Sequence, residues 1–233
     1  MIFPPEIEEF LCKYDRLFLD ERGIIKLHSA DFYKTIDNAD LRVWCICRAI
    51  YQLPTIELVE WLKDNFNLDR AIEIGAGNNY LYHHLGIKGV DNYSEQIPAV
   101  KLVHEILNQP STDPPPSVEK LDAIAAIEKY QPETVITSWM TIKGEDTEEV
   151  DGGHRYAPDE DEILDTGVTY VFIGNEYIHG DRPIMEKPHK TYYFDWLVSR
   201  AKQPKKKLYL YLEKLILNMH SIRPKPNLYL YQD

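Results

Sequence analysis

The residues of this chain best suited to chemistry are two acids and two glycines in one short stretch, residues 73–91. Glu73 lies two residues before Gly75, and Gly77 completes an E-x-G-x-G pattern. Asp91 follows 16 residues after Gly75, slightly closer than the usual spacing of about 20. Glycines let a backbone approach a ligand closely, and an acid at the tip of the next strand can bind the two hydroxyls of a ribose. The pattern therefore predicts a nucleotide-binding turn.

The flanking sequence predicts the elements that would position these residues. Residues 71–74 form a mostly apolar run that the glycines end, as expected where a buried strand reaches a tight turn. Residues 80–85 predict a short helix, whose N-terminus would offer N–H groups to a ligand. Residues 87–90 predict a second strand that ends at Asp91. A glycine turn that only connects a strand to a helix would look the same, so both interpretations stay open.

The details of the turn separate two classes of cofactor. A nicotinamide or flavin site favours G-x-G-x-x-G, but Tyr80 stands where the third glycine belongs. The E-x-G-x-G form instead resembles motif I of the class I S-adenosylmethionine-dependent methyltransferases, in which a third glycine is often present near Asn79. Asn tolerates positive φ better than most residues, so Asn79 can replace a glycine there.

This resemblance implies an α/β fold of the Rossmann-like, three-layer α/β/α sandwich type, with a mostly parallel sheet and a C-terminal antiparallel hairpin. It also implies S-adenosylmethionine as the cofactor, with its methionine part held by the backbone at Gly75 and Gly77. The positions that would bind the cofactor are Glu73, Gly75, Ala76, Gly77, Asp91, Asn92, Asp122, Ala123, Ser138 and Trp139.

Several of these positions have a second interpretation. By the resemblance, Asp91 would bind the ribose hydroxyls and Asp122 the adenine amine. Asp122 also suits the N-cap of a helix over residues 123–130. Ser138 and Trp139 end an apolar strand and would line the transferred methyl group, although a Trp there could equally fill the core.

Polar residues also follow the apolar strand predicted at residues 168–173. Glu176 or His179 could act as a general base there, and Asn175 could orient a substrate. These side chains could instead pair with one another for structural reasons. Methyl transfer is an in-line displacement that positioning and a deprotonated acceptor can support, so no shared catalytic residue is expected.

The rest of the chain predicts a helical extension, residues 1–68, in front of a Rossmann-like domain, residues 69–233. Apolar residues at spacings of three and four predict the helices of the extension. Outside the glycine turn, the predicted helices are 6–18, 41–51, 56–66, 97–107, 123–130 and 192–201, and a further helix is expected to start at Pro158. The predicted strands are 117–121, 134–140, 168–173, 208–212 and 227–231. The last two strands, which both alternate Leu and Tyr, are expected to form the terminal hairpin, although the L-Y-L-Y run also suits a helix over 208–217.

Composition limits the possible partners. A net charge of −12 argues against binding nucleic acid over a broad surface. Cys12, Cys45 and Cys47 lack the spacing of a disulfide framework or a zinc site, and the acids of residues 145–165 lack the ligand spacing of other metal sites. No apolar run reaches the length of about 18 residues that spans a membrane. We therefore expect a soluble cytoplasmic protein without a metal.

Four stretches narrow the resemblance further: RAIYQLPT, IEIGAG, VITSW and IGNEYIHG look like a group of bacterial and phage methyltransferase-like proteins whose substrate cannot be carried over. The leading hypothesis is an S-adenosylmethionine-dependent methyltransferase that acts on a small-molecule or protein acceptor. One alternative is a non-catalytic binding protein with the same fold. Another is an NAD- or nucleotide-sugar-dependent enzyme.

Overall fold

The computed structural model describes residues 3–107, 109–144, 153–201 and 206–211. Its helices are α1 (Pro5–Phe18), α2 (Ala30–Lys34), α3 (Asn38–Cys47), α4 (Ile56–Asn65), α5 (Leu81–Leu85), α6 (Pro98–Ile106), α7 (Ala123–Tyr130), α8 (Glu160–Asp165) and α9 (Glu176–His179). Its strands are β1 (Gln52–Leu53), β2 (Ala71–Ile74), β3 (Lys88–Asp91), β4 (Glu119–Lys120), β5 (Thr134–Ser138), β6 (Ile142–Lys143), β7 (Gly153–His154), β8 (Thr169–Asn175), β9 (Lys190–Tyr193), β10 (Val198–Ser199) and β11 (Lys206–Tyr211).

Within these ranges, seven strands form one sheet in the order β4-β3-β2-β5-β8-β11-β9. The first five run parallel to one another, whereas β11 is antiparallel to both of its neighbours. The predicted α/β class with a mostly parallel sheet is confirmed. The strand order moves outward from β2 in both directions, so the carboxyl ends of β2, β3 and β5 meet where the order reverses. Open α/β sheets bind their ligands at this point.

The strands at the centre of the sheet contribute alternate residues to two different core clusters, as the two-residue period of a strand requires. Tyr170 and Phe172 of β8 pack with residues of α7 and α8. Val171 and Ile173 pack with residues of α4 and α5. The L-Y-L-Y run of β11 divides in the same way, its tyrosines joining the first cluster and its leucines the second. This division confirms the strand predicted around residues 208–212.

The N-terminal helices have a core cluster of their own, built around Phe18 and Trp44 of α1 and α3. Antiparallel pairing of β1 with β10 joins this part to the C-terminal half, with Leu53 opposite Val198. The predicted helix at 56–66 is confirmed as α4. Its N-cap is Thr55, whose hydroxyl accepts the Leu58 N–H at 3.1 Å. Since α4 packs against the sheet, the residues before 69 also contribute to the core of the sheet.

Two predicted helices differ from the structure. The helix expected over 41–51 ends at Cys47, because Ala49 adopts a left-handed φ of +50° before β1 begins. The helix expected over 192–201 is wrong: residues 190–193 form β9, at the edge of the sheet against β11, and β10 follows. Aromatic residues such as Tyr192 favour a strand over a helix. The second strand of the expected hairpin, residues 227–231, lies outside the described residues.

Candidate functional site

The glycine turn after β2 is built on left-handed backbone. Gly75 has φ +66° and Gly77 has φ +49°, a region that few other residues enter without strain. The Ala76 N–H donates to the Val90 carbonyl at 3.0 Å, so the turn is bonded to the neighbouring strand. A Cβ on Gly75 would lie 3.3 Å from Cγ of Met140. The turn therefore depends on glycine at position 75 for its conformation, and a side chain there would also require Met140 to shift slightly.

Asp91 connects the end of β3 to this turn. Its Oδ2 accepts the Gly77 N–H at 3.0 Å, and its Oδ1 accepts the Tyr93 N–H at 2.7 Å. Burial raises the pKa of Asp91, and these two hydrogen bonds oppose that shift. Each carboxylate oxygen has a further lone pair, so Asp91 can still accept hydrogen bonds from a ligand. The predicted ribose-binding acid is thus held next to the glycine turn.

Glu73 is fully buried behind the turn and lines neither of the two cavities described below. Its Oε2 accepts the Tyr82 N–H at 2.6 Å, at the start of α5, and Asn79 donates to Oε1 at 3.5 Å. Burial raises the pKa of Glu73 to about 8. Asn79 was expected to adopt a positive φ in place of the third glycine. The structure corrects this expectation, because the positive φ occurs at the next residue, Tyr80 (+61°), and not at Asn79.

Two adjoining cavities lie at the carboxyl edge of the sheet. The first, of about 60 Å³, lies over the glycine turn, and the second, of about 380 Å³, lies over the start of α7. Four residues line both: Asn92, Ser94, Ala123 and Pro158. Of the ten predicted cofactor residues, all but Glu73 line at least one cavity: Gly75, Ala76, Gly77, Asp91, Asn92, Asp122, Ala123, Ser138 and Trp139.

Asp122 serves the N-cap role that the sequence left open. Its carboxylate accepts the Ile124 N–H at 3.0 Å, and the side chain lines only the second cavity. Asn92 shapes the same cavity, because its Nδ2 donates to the carbonyl of Tyr156, another lining residue, at 2.7 Å. Its Oδ1 accepts the Ser94 N–H at 2.9 Å. Capping does not exclude ligand binding by Asp122, since the residue is exposed.

Ser138 and Trp139 line the first cavity at the end of β5. Oγ of Ser138 is buried and has no hydrogen-bond partner within the described residues. Trp139 is half-buried and has a left-handed φ of +56°. Its Nε1–H donates to Oε1 of Gln52 at 3.2 Å. Trp139 therefore forms part of the cavity wall, one of the two interpretations that the sequence left open.

Glu176 and His179 line neither cavity. They are the first and last residues of α9, and Nδ1 of His179 accepts the Asn175 N–H at 2.9 Å. Burial, with a smaller effect of Arg182, lowers the pKa of His179 to about 3. The Asn175 side chain caps α9 by accepting the Tyr177 N–H at 3.0 Å. Asn175 and His179 are therefore bonded to one another or to their own helix, and a general-base role stays a prediction.

The sequence did not predict several residues that line the first cavity, among them Tyr51, Glu95 and Thr112. Oε2 of Glu95 accepts the Thr112 N–H at 2.5 Å, and Gln96 donates to the Thr112 carbonyl. These bonds hold the proline-rich segment near the glycine turn, where Cγ2 of Thr112 lies 3.7 Å from the position of a Cβ on Gly77. Burial raises the pKa of Glu95. These contacts span 16 or more positions, so local sequence patterns gave no signal of them.

A buried ion pair supports the far side of the first cavity. Nη2 and Nε of Arg182 donate to Oε2 of Glu160 at 2.7 and 3.0 Å. Nη1 of Arg182 donates to the Met140 carbonyl at 2.6 Å, and the Tyr170 hydroxyl donates to Oε1 of Glu160 at 2.8 Å. The pair therefore connects α8, β8 and the residue that packs on Gly75.

No known protein family matches the chain, and a search of curated proteins finds no significant match. In the part of the chain that the structure describes, no helix is both long and apolar enough to cross a membrane, and no group of three or more His, Cys, Asp or Glu side chains is arranged to hold a metal.

Proposed function

We propose that the chain is an S-adenosylmethionine-dependent methyltransferase acting on a small-molecule or protein acceptor, with a Rossmann-like three-layer α/β/α sandwich. The observation that carries the proposal is the position of Asp91. Its carboxylate is hydrogen-bonded to the Gly77 N–H and lines a cavity at the point where the strand order reverses. Carboxylates at this position of such sheets bind the ribose of a nucleotide.

The sheet supports a methyltransferase over a dinucleotide-binding enzyme. The order β4-β3-β2-β5-β8 corresponds to strands 3-2-1-4-5 of the doubly wound order, which continues with a sixth strand next to the fifth in dinucleotide-binding folds. Here the antiparallel strand β11 lies beside β8, with β9 outside it. An antiparallel element at this edge is what the methyltransferase fold adds.

The two cavities adjoin one another along the path that an elongated nucleoside cofactor would take. Asp91 lines the first cavity and Asp122 the second, and the cavities share Asn92 and Ala123, so one ligand could extend from the glycine turn to the start of α7. The buried Oγ of Ser138 offers such a ligand a hydrogen-bonding group that has no protein partner in the described residues. When bound, S-adenosylmethionine supplies an activated methyl group. The chain itself would position the donor and acceptor and exclude water.

One observation favours a non-catalytic binding protein as the second candidate. The first cavity measures about 60 Å³, whereas small-molecule sites typically measure about 300–1,000 Å³. Met140 and Thr112 approach the glycine turn and line this small cavity, so a larger ligand would need them to shift. Met is flexible, so Met140 can adjust its side chain at small cost. A chain in which these side chains stay in place would use its fold only as a binding surface.

Thermal denaturation with added ligands tests the proposal. At one hundred times its dissociation constant, a ligand stabilises the folded state by about 2.7 kcal/mol, equivalent to about 5–10 °C for a chain of this size. We expect S-adenosylmethionine or S-adenosylhomocysteine to raise the melting temperature, and NAD and UDP-glucose to leave it unchanged.

Asp91→Asn should remove the shift, while Asp69→Asn, an exposed acid just before β2, should retain it. A rise in melting temperature with NAD or UDP-glucose alone would contradict the methyltransferase and support an NAD- or nucleotide-sugar-dependent enzyme. No shift with any of the four ligands would favour the binding protein.

A further inference from the structure

Arg200, which directly follows β10, packs against a residue that lines the first cavity. Its Cζ lies 3.5 Å from the centroid of the Tyr51 ring, and Tyr51 contributes to the cavity wall. The Arg200 N–H donates to the Tyr51 carbonyl at 3.0 Å, which continues the pairing of β1 with β10. Nη2 of Arg200 donates to Oε1 of Gln109 at 3.4 Å. The guanidinium is therefore held at a defined place next to this cavity.

The hydrogen-bonding capacity of this guanidinium is only partly used. Among the described residues, Arg200 forms no ion pair with a carboxylate. Its Nη1 is buried and has no hydrogen-bond partner in that part of the chain, and the same is true of Oγ of the preceding residue, Ser199. Buried donors without an acceptor are destabilising, so native proteins rarely leave them unused. Two adjacent residues thus offer donors to a group outside the described chain.

A second arginine lies beside the first. Nε of Arg42, on α3, donates to the Arg200 carbonyl at 3.1 Å. Arg42 also forms no ion pair within the described ranges, whereas Arg48 at the end of the same helix pairs with Asp15. The chain as a whole carries a net charge of −12, so two neighbouring arginines without a carboxylate stand out.

The two carboxylates of the first cavity do not neutralise these arginines. Asp91 accepts the Gly77 N–H at the glycine turn, and Glu95 accepts the Thr112 N–H. The positive charge next to Tyr51 is therefore available to a ligand.

We propose that Arg200 and Arg42 bind an oxyanion of the methyl acceptor, either a carboxylate or a phosphate. The planar guanidinium matches two oxygens of such a group with parallel hydrogen bonds, and the Ser199 hydroxyl can donate a further one. The assignment to the acceptor rests on the proposed function. None of these three residues is among the positions proposed for the cofactor, and each comes from a part of the chain before residue 69 or after β9. The acceptor would therefore be an anionic molecule.

Inorganic phosphate and acetate serve as the two probes of this site in the intact chain. Their binding at constant ionic strength can be followed by the NMR signals of the Nε–H groups of Arg200 and Arg42, each identified by its loss in the corresponding Lys variant. We expect a saturable shift of both signals with at least one oxyanion and none with chloride. The Nε–H of Arg70, which forms an exposed pair with Glu133, should not move. No saturable shift with either oxyanion, or an equal shift with chloride, would overturn the inference.

Substitution tests the contribution of each arginine. Arg200→Gln, followed at the Arg42 signal, and Arg42→Gln, followed at the Arg200 signal, should each weaken oxyanion binding by about tenfold or more, because a charged hydrogen bond is lost. Arg70→Gln is the matched control and should bind as the wild type does. Unchanged affinity in either of the first two variants would contradict the shared site.

Isothermal titration with S-adenosylhomocysteine separates this inference from the proposed function. We expect Arg200→Gln to bind S-adenosylhomocysteine within about twofold of the wild-type affinity, since the acceptor site is distinct from the cofactor site. Binding that is about tenfold weaker would assign the guanidinium to the carboxylate of the cofactor and contradict the acceptor site. Oxyanion binding in a chain that does not bind S-adenosylhomocysteine at all would support the oxyanion site and contradict the methyltransferase.

Discussion

At the scale of single residues, two carboxylates of the same strand–turn–strand unit have different surroundings. Glu73 is fully buried, accepts the N–H at the start of α5 and lines neither of the two cavities described above. Asp91 accepts two backbone N–H groups and lines the first cavity. Glu73 therefore organises the turn, and Asp91 is the residue of the pair that can contact a ligand.

The buried Glu73 predicts a pH dependence of stability. Its folded pKa is about 8 against an ordinary value of 4.5, so the folded state binds its proton more tightly than the unfolded state. The stability it contributes is fully present below about pH 4.5 and is lost as the pH rises through about 8. A tenfold difference in proton affinity between the two states corresponds to about 1.4 kcal/mol. The wild-type chain should therefore lose several kcal/mol of unfolding free energy between pH 5 and pH 8, and Glu73→Gln should not show this loss.

Urea denaturation of both proteins at pH 5 and pH 8 measures this effect. The wild-type chain should lose more unfolding free energy than Glu73→Gln over this interval. Glu60→Gln, which changes an exposed acid of α4, is the matched control and should behave like the wild type. Parallel pH profiles for wild type and Glu73→Gln would show that Glu73 does not titrate with a raised pKa.

At the scale of elements, the buried pair of Arg182 and Glu160 connects α8 to the segment that packs on the glycine turn. Both side chains are less than a tenth exposed. Arg182→Met leaves Glu160 buried and unpaired, which should cost about 3–5 kcal/mol of unfolding free energy. Arg70→Met breaks an exposed pair with Glu133 and should cost less than about 1 kcal/mol. Similar losses in urea denaturation of the two variants would contradict the structural role of the buried pair.

The start of α7 allows capping and ligand binding by Asp122 to be separated. Ser is as good an N-cap as Asp, so Asp122→Ser should change stability by less than about 0.5 kcal/mol, whereas Asp122→Ala should cost about 1 kcal/mol. Neither variant retains a carboxylate for the adenine amine. We expect titration calorimetry to show about tenfold weaker binding of S-adenosylmethionine to both variants. Unchanged affinity in Asp122→Ser would restrict Asp122 to capping.

The sequence predicts elements well where the signal is local. The glycine turn, α4 with its Thr55 cap and α7 with its Asp122 cap all follow from neighbouring residues. The helix predicted over 192–201 failed because β9 is stabilised by pairing with β11, a contact that local periodicity does not contain. Tyr51 and Glu95 were missed at the site for the same reason. They reach the first cavity through the fold of the chain rather than through a motif.

At the scale of the whole molecule, the N-terminal part contributes to the site as well as to the core. β1 pairs with β10, and Tyr51 immediately before β1 lines the first cavity. Tyr51 and Trp139 therefore meet only when both halves of the chain are folded. We expect the two halves to be needed together for ligand binding.

A crystal structure of the chain with saturating S-adenosylhomocysteine tests the proposed function most directly. We expect the ribose hydroxyls to lie on the carboxylate of Asp91 and the adenine to occupy the second cavity beside Asp122, with Met140 displaced from Gly75. A nucleoside bound elsewhere, or a glycine turn still covered by Met140 with no ligand at Asp91, would contradict the methyltransferase proposal.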